Sequence, residues 1–127
     1  MPLVRIHVPQ GKSAEYRSII SDVVYNTTLT VLNVPEYNRF HVISEHSTTD
    51  LVIDPTYYGI NRSENAIIIQ ITLNEGRATL DLKTLYYKAL ADSLHERLGL
   101  RREDVFINLV EVKKENWSLG NGEAQYA

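Results

Sequence analysis

Pro2 offers the most chemistry of any residue in this chain of 127 amino acids. A small second residue favours removal of the initiator Met, and proline qualifies. Removal leaves a secondary amine at the N-terminus, which no other standard residue supplies. An α-amino group titrates near neutrality, with a reference pKa of about 7.7–8.0. Burial and nearby cations lower that value and make the amine a base; without them it stays a cationic acid. A retained Met1 leaves Pro2 as an amide nitrogen with no basicity. Arg77 is the second candidate. It precedes a predicted helix, where a cation opposes the dipole, so its placement points to a task other than helix stability.

Other chemistries find little support. His7, His41, His46 and His95 show no metal-ligand spacing and form no site, so no metal is expected. His46 and Ser47 resemble a base and nucleophile only superficially, because neighbours on a strand point to opposite faces. The chain has no cysteine, which excludes disulfides, thiol nucleophiles and thiolate metal sites. Gly120-Asn121-Gly122 lacks the strand and helix of a phosphate loop. Tyr57-Tyr58 and Tyr86-Tyr87 read as packing residues, and Arg62 with Glu64 as a structural loop pair. A formal charge of −3 with no basic run argues against nucleic acid as a partner. The opening residues lack the apolar core of a signal peptide, and no run approaches a membrane span. A cytoplasmic protein with no membrane partner is expected.

The elements that must position these residues come in two sets. Pro2–Val8 alternates as a half-buried strand. A helix capped by Ser13 follows, with Tyr16, Ile19, Ile20, Val23, Val24, Thr27 and Val31 on one face, and Asn33-Val34-Pro35 stops it. Arg39–Glu45 alternates as a second strand. The second half repeats this order with a strand over Ala66–Leu73 and a helix ended by Gly99. That helix turns Leu82, Leu85, Tyr86, Ala89, Leu90, Leu94 and Leu98 to one side, and a strand over Val105–Val112 closes the series. The halves, about 1–64 and 65–127, superpose at an offset of about 65 residues, too long for a solenoid repeat. One domain of the α/β (α+β) class follows, a duplicated β-α-β unit with four strands in one sheet and two helices on one face. The other face needs cover, and association between copies in a closed homo-oligomer supplies it. The insert Ser47–Asn65 reads as a loop or short hairpin, and the tail from Asn116 carries Trp117, Leu119 and Tyr126, which dock on something.

Pro2-Leu3, Gly11-Lys12, the turn from Val34-Pro35 to Arg39, Ser44-Glu45-His46-Ser47, Arg62-Ser63-Glu64, Gly76-Arg77 and Trp117-Ser118-Leu119-Gly120 form an ordered series. In order and spacing it resembles the tautomerase superfamily, and most of all the branch of malonate semialdehyde decarboxylase and its tautomerase relatives. The resemblance runs nearly end to end. It implies an N-terminal proline catalyst, no cofactor, and a homotrimer with the proline in a pocket between subunits. Pro2 falls on the family's catalytic amine. Arg77 falls on the second of the decarboxylase's two arginines, while Asn74 or Glu75 stands where the first belongs. Asn38 replaces the aspartate with which the decarboxylase activates water. Trp117, Leu119 and Tyr126 correspond to the apolar wall contributed by the tail, and Arg39 is a second anchor for substrate or an ion-pair partner.

These departures choose among reactions. An amide cannot take a proton from water, and one arginine makes a weaker carboxylate clamp than two. The resemblance therefore implies a keto-enol tautomerase of small 2-oxo acids. In it Pro2 is the base, Arg77 binds the substrate carboxylate, Asn38 orients the carbonyl, and the tail excludes water. The rivals are decarboxylation or hydration of a 3-oxo or haloacrylic acid with Pro2 protonated, and a non-catalytic trimeric interaction protein.

Overall fold

The computed structural model describes residues 2–127, so the removal of Met1 lies outside the described residues. Strand, helix and strand follow one another twice: β1 (Leu3–Pro9), α1 (Ala14–Leu32) and β2 (His41–His46), then β3 (Ile67–Asn74), α2 (Leu80–Leu98) and β4 (Val105–Val112). The strands form one sheet in the order β2-β1-β3-β4. β1 is parallel to β2 and β3 to β4, each pair joined by its helix, and the two units meet antiparallel through β1 and β3.

Local sequence explains the helix ends. Ser13 caps α1 by accepting the Tyr16 N–H at 3.0 Å, and Thr79 caps α2 by accepting the Leu82 N–H at 3.2 Å. Both helices stop on a left-handed residue, Asn33 at φ 53° and Gly99 at φ 66°, types that tolerate this conformation.

Val4, Ile6 and Val8 of β1 and Ile67, Ile69, Ile71 and Leu73 of β3 are buried under the helices with Ile20, Val24, Leu90 and Leu94. Their strand neighbours face the other way. On that open side Val42 lies across from Arg5 and Phe106 from Ile68, each about half exposed in the single chain.

Four expectations change. β1, β2 and β3 are displaced by one or two residues from the predicted spans, because alternation sets a strand's face while its pairing partner sets its ends. Leu85 turns outward, while Tyr86 of the same predicted face is buried. Residues 47–65 take the first of the two forms expected, a loop: Asp54 accepts the Thr56 and Tyr57 N–H groups, each at 2.8 Å, and shapes a single 3-10 turn at Tyr57–Gly59. Tyr57 and Tyr58 there are exposed, and Arg62 donates to the carbonyls of Asp54, Tyr57 and Ile60, with no pairing to Glu64. Among the described residues, no helix is long and apolar enough to cross a membrane.

Candidate active site around Pro2

One end of the sheet gathers the candidate residues. Leu3 pairs with Thr72 of β3, and the Val4 N–H donates to the Phe40 carbonyl at 2.9 Å. β4 leaves the sheet at Val112, opposite Asn74, and sends the tail back across this same end. Four segments thus meet: the start of β1, the turn before β2, the end of β3 and the tail.

Pro2 is buried. With Leu3, Phe40, Trp117, Ser118 and Leu119 it lines a cavity of about 130 Å³. Apart from the Ser118 hydroxyl and the Trp117 indole N–H, the lining side chains are apolar. Such a wall disfavours the charged form of any amine placed against it. The indole N–H of Trp117 donates to Asn74 Oδ1 at 2.7 Å, and Asn74 is only 7% exposed.

Asn38 sits in the turn between α1 and β2, two residues before Phe40, and does not itself line the cavity. Its Oδ1 is buried and has no hydrogen-bond partner among the described residues. The preceding Tyr37 is left-handed, with φ at 60°, and its N–H is held by the Tyr25 hydroxyl at 2.9 Å. That conformation costs a bulky residue about 1–2 kcal/mol, so the turn is held in shape by its surroundings.

Arg77 stands at the same sheet end, three residues beyond β3 and two before the cap of α2. It is exposed and donates to the Leu32 carbonyl at 3.4 Å. Leu32 ends α1, so the guanidinium complements the carbonyl end of one helix while it precedes the start of the other. Arg77 does not line the cavity. Arg39 is spent elsewhere: it pairs with Asp22 at 2.7 Å and lies 4.1 Å over the Tyr25 ring, both on α1. Tyr126 is half-buried, outside the cavity lining. Leu3 and Phe40 escaped the sequence reading because they become neighbours of Pro2 only through the β1–β2 register.

Two histidines do meet, against expectation. His7 Nδ1 and His46 Nε2 lie 2.8 Å apart on the open side of the sheet, where Pro9 pairs with His46. Burial holds the His7 pKa below its ordinary value, helped by His46 and Arg5. His41 faces α1, bonds Ser21 Oγ at 2.7 Å, and is pushed down to about 4, first by burial and then by Arg39. Among the described residues no cluster of three or more potential ligands is placed to hold a metal.

Comparison with known proteins turns this geometry into a family assignment. Residues 38–120 match a family described as "Tautomerase enzyme", and residues 2–61 match a second family of the same description. The chain belongs to the tautomerase family. It is an enzyme of the isomerase class by that membership. "Probable tautomerase YusQ" of Bacillus subtilis (strain 168) is 38% identical over 125 residues, covering 98% of each chain. A crystal structure of FG41 malonate semialdehyde decarboxylase inhibited by 3-bromopropiolate superposes with a TM-score of 0.90 at 32% identity, over 98% of this chain and 93% of that one. A fused 4-OT, described as a wild-type symmetric trimer, shares the tautomerase fold at a TM-score of 0.78 and 19% identity, over 98% and 97% of the two chains.

Proposed function

We propose that this tautomerase interconverts the enol and keto forms of small 2-oxo acids, with the amine of Pro2, freed by removal of Met1, as its base. The neutral nitrogen takes the proton of the enol O–H, the electron pair of that bond moves in to form C=O, and the proton returns to the carbon of the former double bond. One observation carries the reading: Pro2 is buried against an apolar cavity walled by Phe40, Trp117 and Leu119. Exclusion of water there favours the uncharged amine on which the reaction depends.

Arg77 binds the substrate carboxylate and offsets charge as it develops on the adjacent oxygen. Asn38 orients that oxygen by donating from its side-chain amide N–H, since the single enol proton goes to Pro2. Arg39 and Tyr126 are not needed for this step. The proposed assembly is a closed homo-oligomer, a homotrimer as described for the fused 4-OT, with the open sheet sides covered between copies.

The test follows phenylenolpyruvate ketonisation by absorbance, with intact mass establishing the N-terminus. Wild-type protein lacking Met1 should be active and Pro2→Ala should lose most of that rate; equal rates would remove the mechanism. The decarboxylase that superposes at 32% identity favours one other reading, a lyase with Pro2 protonated. The pH profile separates them. A tautomerase loses activity as pH falls through the pKa of the amine, whereas a lyase loses it as pH rises.

A further inference from the structure

We propose that Asn74 is a positioning residue that latches the C-terminal tail over the active site. The inference rests on the reading of Pro2 as catalyst, because the tail supplies Trp117, Ser118 and Leu119, half of the cavity's lining.

Little else holds this segment. The tail leaves β4 through one 3-10 turn, Lys114–Asn116, which the Trp117 N–H closes weakly onto Lys114 at 3.4 Å. Beyond it the hydrogen bonds are internal: Leu119 N–H to Gln125 Oε1 at 2.9 Å, Gln125 Nε2 to the Gly120 carbonyl at 2.7 Å, and the Glu123 N–H to Gly120 at 3.4 Å. They make a self-contained loop with no hydrogen bond to the sheet. Among the described residues, the bond from Trp117 Nε1 to Asn74 Oδ1 is the one hydrogen bond from residues 117–127 to the sheet.

Asn74 is well placed for this work. It ends β3 in register with Val112, and the next N–H, of Glu75, donates to the Val112 carbonyl at 2.8 Å, so its backbone is held against β4. Its side chain is buried, so the bond is shielded from competing water and the acceptor is costly to leave empty. An indole has one donor, and Asn74 takes it. With Nε1 anchored on β3, the apolar body of the ring is left to wall the cavity around Pro2. Release would let the tail lift and water reach the amine, which raises the pKa of the amine and leaves less of it neutral at a given pH.

Trp117 is the single tryptophan of the chain, so tryptophan emission reports on this one side chain and its surroundings. Asn74→Ala should red-shift the emission, speed hydrogen exchange in residues 118–127, lower kcat/KM for phenylenolpyruvate by about tenfold, and move the acidic limb of the pH profile upward. Trp117→Phe keeps an aromatic ring without the N–H and should reproduce the kinetic loss, which also covers the case in which Asn74→Ala does not fold. In the Trp117→Phe background Asn74→Ala should cost nothing more, because both changes break one contact. Additive losses, or unchanged emission and exchange in Asn74→Ala, would overturn the latch. Full activity in Pro2→Ala would instead overturn the catalytic reading, while emission and exchange would still judge the latch.

Discussion

The partnerless oxygen of Asn38 sets function against stability within one side chain. A buried acceptor left empty costs about 1–3 kcal/mol, and the fold tolerates it in the turn between α1 and β2. Asn38→Ala is therefore expected to leave the melting temperature unchanged or raise it, while kcat/KM for ketonisation falls by about tenfold through lost orientation of the substrate oxygen. A drop in melting temperature that parallels the drop in rate would show that Asn38 serves the fold. Arg77 should behave differently. It is exposed and touches the protein through one long hydrogen bond, so Arg77→Ala should change stability by no more than about 0.5 kcal/mol. Its effect belongs in KM, which should rise by about tenfold or more if the guanidinium holds the carboxylate.

Between elements, the polar contact of greatest consequence joins α1 to α2 inside the core. Thr28 gives its proton to the Val24 carbonyl at 2.6 Å, so at its 2.8 Å contact with Tyr86 the tyrosine is the donor. Burial pushes the Tyr86 hydroxyl up to about 12, so it stays protonated and able to donate. The two deletions are then unequal. Tyr86→Phe leaves Thr28 bonded to Val24 and should cost about 0.5–1.5 kcal/mol, whereas Thr28→Val orphans a buried hydroxyl and should cost about 1–3 kcal/mol. Chemical denaturation of both variants checks the order. Asp104 plays a similar part for the insert. Buried before β4, it accepts the Ser63 N–H at 2.7 Å and the Ser63 hydroxyl at 2.5 Å, which brings the chain back into register for β3.

At the scale of the whole molecule, acid is expected to weaken the protein through its histidines. His41 is held neutral by burial, with its pKa lowered from 6.5 to about 4, and His7 is lowered as well. Below pH 6.5 the unfolded chain binds protons that the folded one refuses, so stability is present above that pH and is lost as pH falls toward 4. Denaturation at stepped pH should show this decline, and His41→Gln should flatten it. The open side of the sheet bears on assembly. Val42 and Phe106 lie there half exposed, and a copy packed against them would remove apolar surface from water. Light scattering should give three times the 14.5 kDa of one chain, and Phe106→Asp should shift the particle toward that single mass.

Much of this architecture was legible in the chain, because the features that encode it are local. Apolar spacing marked both helices and the last strand, Ser13 and Gly99 marked helix ends by their capping chemistry, and repetition of the order strand, helix, strand implied one sheet. Leu85 misled because α2 packs along a narrower stripe than its leucines suggest, and the tyrosines of the insert misled because an Asp54 turn presents them to solvent. The site was legible only as a set of residue types.

Which of those residues share a cavity depends on strand register and on the path of the tail, quantities that no local pattern encodes. Register put Phe40 beside Pro2 and His7 beside His46, and packing on α1 drew Arg39 to Asp22 and Tyr25. The residues alone determined the twofold plan and the candidate base, since period and capping act within a few positions. Tertiary structure decided what surrounds that base, since segments distant in sequence meet only when the sheet closes them together.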